Sequence, residues 1–171
     1  MGRARAAAGS LVFLVLAPGV AGGLIPWLLT RWAAGEWWPP VRVLGAVMIA
    51  AGLAVLLEAF VRFVVEGIGT PAPVAPPERL VVGGAYRYVR NPMYLAVSAL
   101  IVGQALVLGR PGLLLYAAAF GSAVWAFVHG YEEPALARRF GANYEAYRRA
   151  VRPWRPRLTP WEPTRSAPSR K

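Results

Sequence analysis

Cysteine is absent from the 171 residues of this chain, and histidine occurs once, at position 129. The absence of cysteine excludes disulfide bonds, thiolate catalysis and cysteine-ligated metal sites, although it says nothing about the redox compartment. Acidic residues are also scarce. The chain has 8 Asp and Glu residues and 19 Lys and Arg residues, so its formal net charge is +11. The chemistry of this protein must therefore come from other side chains, and we predict no metal site.

Apolar residues are abundant. They make up 57% of the chain, and the mean hydropathy is +0.43, whereas ordinary soluble domains contain about 45–50% apolar residues. The length suits one domain, which we place at 1–158. The remaining segment, 159–171, is rich in proline, serine and charge, which is typical of disorder. The composition predicts an all-α integral membrane protein with a short tail.

Four apolar stretches are long enough to be membrane helices, since about 20 residues cross about 30 Å of hydrocarbon. We place the helices at about 11–30, 41–65, 93–109 and 112–130. Only Arg110-Pro111 separates the last two, which predicts a tight hairpin with the proline in the first turn of the fourth helix. A cleaved signal peptide is the alternative for the first stretch, but the apolar run continues past any plausible cleavage site.

The basic residues predict the orientation. They collect at the N-terminus, between the second and third helices and after Tyr131, and such residues mark cytoplasmic segments. We therefore expect both termini in the cytoplasm and the protein in the cell membrane, with the tryptophan-rich segment 31–40 on the other side. Because the arginines lie between and after apolar runs, we expect them to meet the anionic headgroups of the bilayer and not nucleic acid. An amphipathic surface helix is predicted over 135–150.

Two further groups of polar residues are candidates for substrate binding. Glu58, Arg62 and Glu66 lie four residues apart on one stripe of the second helix, where ionisable groups are costly in a membrane. An interfacial ladder of salt bridges that anchors the helix is an equal alternative. His129 lies at the end of the fourth helix and is either a substrate-binding group or an interfacial hydrogen-bonding residue.

The connection between the second and third helices, 69–92, is the most informative segment. It begins with a proline-stiffened extended stretch and continues with closely spaced glycines, tyrosines and arginines. Glycines permit close backbone approach to a ligand, and Asn91-Pro92 is a typical start of a helix. A helix that begins there offers backbone N–H groups to an anionic or polar ligand. A positively charged membrane-entry loop, the alternative, would explain the arginines alone.

Several motifs of this connection and of the region after it come in an order that belongs to a known family. They are Leu80-Val81, Gly84-Ala85-Tyr86, Arg90-Asn91-Pro92-Met93-Tyr94, Glu132-Glu133 and the stretch from Phe140-Gly141 to Tyr144 and Tyr147, with Pro153 and Pro156 after it. In order and spacing they resemble the isoprenylcysteine carboxyl methyltransferases and the related phospholipid methyltransferases of membranes. The resemblance covers nearly half of the chain, and it implies an enzyme that transfers a methyl group from S-adenosylmethionine.

The resemblance also implies a site at the membrane surface for this cofactor and a lipophilic acceptor. Arg90 and Glu132 are its predicted catalytic residues. The residues that the resemblance implies as cofactor contacts are Arg79, Leu80, Val81, Tyr86, Asn91, Pro92, Met93, Tyr94 and Glu132. To substrate binding we assign Glu58, Arg62 and His129.

Two positions depart from the family pattern. Asn91 stands where the family usually has histidine, so a hydrogen-bonding group is kept and a titratable one is lost. One turn before the Glu132-Glu133 pair, the prenylcysteine enzymes have an arginine, and this chain has Val128 to Tyr131 instead. Two other functions stay open: an NADPH-dependent membrane reductase of related architecture, and a non-enzymatic membrane scaffold.

Overall fold

The first apolar stretch forms a helix that is interrupted in its middle. In the computed structural model, which describes residues 3–67 and 79–162, α1 covers Arg3–Leu16, a π-helical turn covers Val20–Leu24 and α2 covers Ile25–Thr30. Pro26, in the first turn of α2, has no N–H, so it cannot make the helical hydrogen bond to the carbonyl of Gly22, four residues earlier. Gln104 of a later helix donates its Nε2 to that carbonyl at 2.6 Å. A neighbouring helix therefore satisfies the carbonyl that this proline leaves free.

The second and third membrane helices begin at prolines. α3 covers Pro39–Arg62 and continues as a π turn over Phe63–Gly67, and α4 covers Pro92–Leu108. A proline suits the first helical turn because the N–H groups there have no partner within the helix. α4 ends at Gly109, whose φ of +63° lies in the left-handed region that favours glycine. The predicted bounds of 41–65 and 93–109 lie within two residues of these.

The fourth helix extends beyond its predicted end at residue 130. Its consecutive parts are α5, a π turn and α6, which cover Gly112–Phe127, Val128–Glu132 and Glu133–Phe140. It ends at Gly141, whose φ of +50° is strained for any residue with a side chain, and α7 follows over Ala142–Ala150. The surface helix predicted over 135–150 is therefore divided: its first part continues the membrane helix, and its second part is separate.

The lengths and surfaces of these helices confirm an all-α integral membrane protein. Three helical stretches are long and apolar enough to cross a bilayer; they are Leu11–Thr30, Pro39–Glu66 and Gly112–Phe140, with 20, 28 and 29 residues. α4 has 17 residues and spans about 25 Å, somewhat less than the hydrocarbon core. The described residues contain no strand. Large apolar side chains stay exposed along the outer faces of α1, α3 and α5, as lipid requires.

α3 and α4 cross with their backbones in close contact. A Cβ on Gly45 would lie 2.6 Å from the carbonyl oxygen of Gly103, and a Cβ on Gly103 would lie 2.7 Å from that of Gly45. Two turns further along α3, a Cβ on Gly52 would lie 2.9 Å from the carbonyl oxygen of Ala96. Small residues at such a crossing let two membrane helices pack without a layer of side chains between them. α4 is therefore held as the inner helix of the bundle.

The two short connections meet at one end of the bundle. The N–H of Gly35 donates to the carbonyl of Leu108 at 2.7 Å, and Arg110 Nε donates to the carbonyl of Ala33 at 3.0 Å. The chain order then places the end of α3, the start of α4 and all of α6 at the opposite end. The polar segment from residue 79 onwards lies there.

Candidate functional site

Carboxylates of the second membrane helix fix the loop that precedes α4. The N–H of Gly83 donates to Glu66 Oε2 at 2.9 Å, and the N–H of Ala85 donates to Glu58 Oε2 at 3.1 Å. A 3₁₀ turn over Gly84–Arg87 begins at this point. A side chain at either glycine, 83 or 84, would overlap the carboxylate of Glu66 or Glu58. The paired glycines are therefore needed so that the loop can approach α3.

Arg62 holds these two carboxylates in place. Its Nε donates to Glu58 Oε1 and its Nη1 to Glu66 Oε1, both at 2.8 Å. The interfacial ladder, which the sequence left as an alternative, is present, and it also carries the loop. These residues line a groove of about 740 Å³ on the outer side of the loop. They line neither of the two cavities described next, so the contacts do not support the predicted substrate role of Glu58 and Arg62.

Two adjoining cavities lie between the loop, the first turn of α4 and the fourth membrane helix. Their volumes are about 250 and about 670 Å³. Eight residues line both: Phe13, Ala17, Phe63, Tyr86, Arg90, Asn91, Tyr94 and Glu132. The smaller cavity extends among apolar side chains towards α1 and α5, and the larger one extends along α6 and α7. The pair therefore joins an apolar compartment to a polar one.

Glu132 and Tyr94 form the polar contact at the junction of the two cavities. Tyr94 lies in the first turn of α4, and its hydroxyl donates to Glu132 Oε2 at 2.9 Å. Glu132 is the last residue of the π turn of the fourth membrane helix. Such a turn rotates the following residues relative to a regular helix, and π turns are frequent at functional sites. Glu132 is thereby aimed at α4.

Arg90 and Glu133 form a buried ion pair beside it. Arg90 Nη2 lies 3.0 Å from Glu133 Oε1, and the two side chains are only 8% and 15% exposed. Arg90 Nη1 donates to the hydroxyl of Tyr144 at 2.9 Å. Nη1 of this predicted catalytic residue is therefore hydrogen-bonded and Nη2 is ion-paired, and the two contacts connect the loop to α7 and α6.

Two tyrosines of α7 close the larger cavity. The hydroxyl of Tyr147 donates to the carbonyl of Tyr86 at 2.7 Å. The hydroxyl oxygen of Tyr144 accepts the hydrogen bond from Arg90 Nη1. Burial raises the pKa of Tyr147 and also that of Tyr144, so both hydroxyls stay protonated at neutral pH. The sequence suggested only that these tyrosines form the packing stripe of a surface helix. The structure makes them part of the cavity wall.

The segment after α7 runs back along the loop and binds its backbone. The N–H of Arg90 donates to the carbonyl of Arg152 at 3.0 Å. The N–H of Arg157 donates to the carbonyl of Tyr88 at 2.9 Å. Trp161 is bonded twice to Arg87, once through each of its backbone groups. The loop is therefore held between α3 on one side and the C-terminal segment on the other.

The structure brings most of the predicted cofactor residues together. Four of them line both cavities: Tyr86, Asn91, Tyr94 and Glu132. The larger cavity adds Leu80 and Val81, and the smaller one adds Pro92 and Met93. Arg79 is exposed and lines neither cavity. The part of the predicted cofactor loop at 69–78 lies outside the described residues, as does the tail from 163.

His129 lies outside the cavities. Its Nδ1 is 2.8 Å from the carbonyl oxygen of Trp125, and its ring stacks between Trp125 and Trp154. The residue is exposed and lines neither cavity. These contacts fit the alternative of an interfacial hydrogen-bonding residue and do not support the predicted role in substrate binding.

Sequence reasoning missed the contribution of the first helix. Phe13 and Ala17 of this helix line both cavities, and Pro18 and Ala21 line the smaller one. An apolar residue in a membrane helix looks the same in sequence whether it faces lipid or a cavity. The glycines and prolines that interrupt the first helix were the available signal.

The fold and these cavities define a class: a helical membrane protein that encloses a polar compartment next to an apolar one at one end of its bundle. The chain belongs to the phospholipid methyltransferase family, whose model matches residues 41–143, more than half of the chain. The match confirms the resemblance and does not favour a reductase or a scaffold. It includes α3, the loop, α4 and the Glu132-Glu133 pair. No curated protein and no solved structure matches the chain.

Proposed function

We propose that this protein is an S-adenosylmethionine-dependent methyltransferase that acts on a lipophilic acceptor. One observation carries the proposal: the residues of the motifs that mark the family converge on a cavity of about 670 Å³. Cavities of roughly 300–1,000 Å³ are typical for cofactors and other small ligands. Family membership supports methyl transfer as the reaction.

The residues present fit this cofactor. Glu132 offers a carboxylate to the ribose hydroxyls or to the ammonium group, and the ring faces of Tyr86 and Tyr94 suit a sulfonium cation. Leu80 and Val81 line the same cavity and would supply apolar contacts to the adenosine part of the cofactor. When bound, S-adenosylmethionine supplies an activated methyl group. The chain then has to align the acceptor and exclude water, and such alignment contributes much of the rate of group transfer.

The smaller cavity suits the acceptor. Its walls are mostly apolar side chains of α1, α4 and α5, among them Phe13, Val97 and Phe120. It adjoins the larger cavity at Tyr94 and Glu132, so an apolar chain lodged there would hold its polar end close to the cofactor. A hydrocarbon chain is the class of ligand that such walls favour.

The decisive test is calorimetry on the purified protein in detergent with S-adenosylmethionine, S-adenosylhomocysteine and NADPH. We expect the two adenosyl ligands to bind and NADPH to give no heat, because the cavity residues match the family motifs. Binding of NADPH alone would move the protein to the reductase class. Absence of binding by all three would favour the scaffold.

We also propose that both termini and the loop face the cytoplasm. Four helical passages through the membrane put the start of α1, the loop and α7 at the same end of the bundle, and the arginines at this end follow the distribution of basic residues in cytoplasmic segments. Reporter fusions at Gly35 and after Lys171 should therefore report opposite sides of the membrane. If both fusions report the same side, the four-passage topology is wrong.

The exposed arginines at this end support contact with anionic lipid headgroups. They lie on α6, on α7 and just after it, and are Arg138, Arg139, Arg148, Arg149, Arg152 and Arg155. Each basic residue near an anionic membrane surface contributes about 1 kcal/mol of attraction. Such contact would press α6 and α7, which close the larger cavity, against the membrane.

A further inference from the structure

Tyr86 lies at the junction of the two cavities, because it lines both of them and is only 6% exposed. Its backbone carbonyl accepts the hydrogen bond from the hydroxyl of Tyr147 at 2.7 Å, so α7 fixes the loop on one side. On the other side, the last turns of α3 contact the same part of the loop with an apolar face and with a polar face. The contacts with α3 therefore determine where the ring of Tyr86 lies.

The apolar contacts of α3 attach the loop to the helix. The ring of Phe63 meets the ring of Tyr86 edge to face, with 5.8 Å between the two centroids. Ala59, which is fully buried, packs against Tyr86 and Val81. Contacts of this kind are non-directional and depend mainly on the buried area. They hold the loop against α3 without fixing its position along the helix.

The polar contacts of α3 supply that direction. Glu58 Oε2 accepts the N–H of Ala85, the residue directly before Tyr86, at 3.1 Å. Glu58 Oε1 accepts Arg62 Nε at 2.8 Å. Both oxygens of Glu58 are therefore used, one by the loop and one by its own helix. Hydrogen bonds to an ionised group are strong and specific in geometry, so this carboxylate fixes the backbone next to Tyr86.

The ladder that contains Glu58 should matter little for overall stability. The side chains of Glu58 and Arg62 are 36% and 41% exposed, and ion pairs with such exposure add little to the stability of a fold. Glu66, the other carboxylate of the ladder, bonds to Gly83 and so acts further from Tyr86. Loss of Glu58 should leave a folded protein in which the ring of Tyr86 is no longer fixed relative to α3.

We propose that Glu58 is a positioning residue for the cofactor: through the N–H of Ala85 it fixes the ring of Tyr86 at the junction of the cavities. The proposal rests on the proposed function, in which this ring contacts the sulfonium of S-adenosylmethionine. A cation–π contact requires the cation to lie over the ring face, so a displaced ring loses it although the cavity persists. Glu58 itself lines neither cavity, and it acts on the cofactor only through Tyr86.

The test is a double-mutant cycle that combines Glu58→Met with Tyr86→Leu, measured by calorimetry in detergent with S-adenosylmethionine. Methionine keeps the length of the side chain and removes both carboxylate oxygens. We expect Glu58→Met to weaken binding by about three- to tenfold when Tyr86 is present, and to have no further effect in Tyr86→Leu. S-adenosylhomocysteine, which has no sulfonium, should respond less to Glu58→Met. A merely structural role would weaken both ligands alike and in both backgrounds.

Glu58→Gln is the conservative variant, since glutamine keeps one acceptor oxygen. Its affinity for S-adenosylmethionine should lie between those of the parent and of Glu58→Met. Glu145→Met is the matched control, because Glu145 is 33% exposed and pairs with Arg148 of its own helix, away from the loop. The control should bind the cofactor like the parent, and Glu58→Met should unfold at nearly the same temperature as the control.

Equal weakening by Glu58→Met in both backgrounds, or an affinity equal to that of the parent, would overturn the positioning role. If Tyr86→Leu does not fold, the ratio of the two adenosyl affinities decides: a ratio that Glu58→Met leaves unchanged overturns the role. If Glu58→Met does not fold, Glu58→Gln replaces it in the cycle. A parent that binds neither adenosyl ligand contradicts the proposed function, and hydrogen exchange then decides whether Glu58 fixes the loop. Segment 82–88 should exchange faster in Glu58→Met, and unchanged exchange overturns the inference.

Discussion

Replacement of Glu132 by glutamine should weaken the binding of S-adenosylmethionine at least tenfold while the protein still inserts and purifies like the parent. The substitution keeps the shape of the side chain, and its amide oxygen can still accept the bond from Tyr94. It removes the negative charge that faces both cavities. A hydrogen bond to a charged group is worth about 1.5–3 kcal/mol, which corresponds to roughly a ten- to hundredfold change in affinity. Calorimetry and a methyl-transfer assay on the same preparation measure the effect.

Glu145→Gln is the control for this experiment. Glu145 pairs with Arg148 on α7, and its side chain is 33% exposed, so the loss of its charge should change binding little. If Glu132→Gln binds the cofactor like the parent, the cofactor lies elsewhere. If binding is lost in Glu133→Gln instead, the roles of the two adjacent glutamates are the reverse of those proposed.

The helices of the bundle could be predicted because local signals mark their ends. Pro92 begins α4 and Gly109 ends it, and the stretch between them contains no charged residue. The end of the fourth helix was missed for a local reason as well. The predicted helix ended at residue 130 with the apolar run, but the π turn over Val128–Glu132 leads directly into α6, which holds Pro134 in its first turn and ends at Gly141.

The site was predictable only where a motif is contiguous. The run from Arg90 to Tyr94 reaches the cavities as the resemblance implied. The partners of Arg90 could not be read from the sequence, because Glu133 and Tyr144 lie more than forty residues away and only the packing of α6 and α7 on the loop brings them close. Such contacts depend on tertiary packing, which has no period or spacing in the sequence.

Glu58 and His129, which the sequence predicts as substrate-binding residues, both make hydrogen bonds within the protein. Each is an ionisable residue at the end of an apolar helix, a position that favours a functional role. The structure gives Glu58 two bonds within the protein, to Arg62 and to the backbone of Ala85. His129 bonds to Trp125 one turn earlier. The cost of an ionisable group near the membrane is therefore offset by structural hydrogen bonds, and a ligand is not needed to explain it.

Replacement of Glu133 by alanine should destabilise the protein by about 3–5 kcal/mol, because it leaves the buried guanidinium of Arg90 without its counter-charge. The bond from the same guanidinium to Tyr144 on α7 remains in this variant, so the larger cavity should keep its wall in the folded protein. Thermal unfolding in detergent measures the change in stability. Because the role of Glu133 is to stabilise the fold, the variant should lose cofactor affinity only in proportion to the fraction of unfolded protein. At temperatures where the variant is folded, its affinity should match that of the parent.

Glu145→Ala provides the matched comparison, since it also removes a glutamate from an ion pair with arginine, but at the surface. Exposed pairs contribute about 0–1 kcal/mol, so this variant should unfold close to the parent. Joint replacement of Arg90 and Glu133 by leucine should recover much of the stability that Glu133→Ala loses, because no buried charge is then left unpaired. The recovered protein should still bind the cofactor less tightly than the parent, since Arg90, which lines both cavities, is gone. Equal unfolding of Glu133→Ala and Glu145→Ala would show that the buried pair does not hold α6 and α7 against the loop.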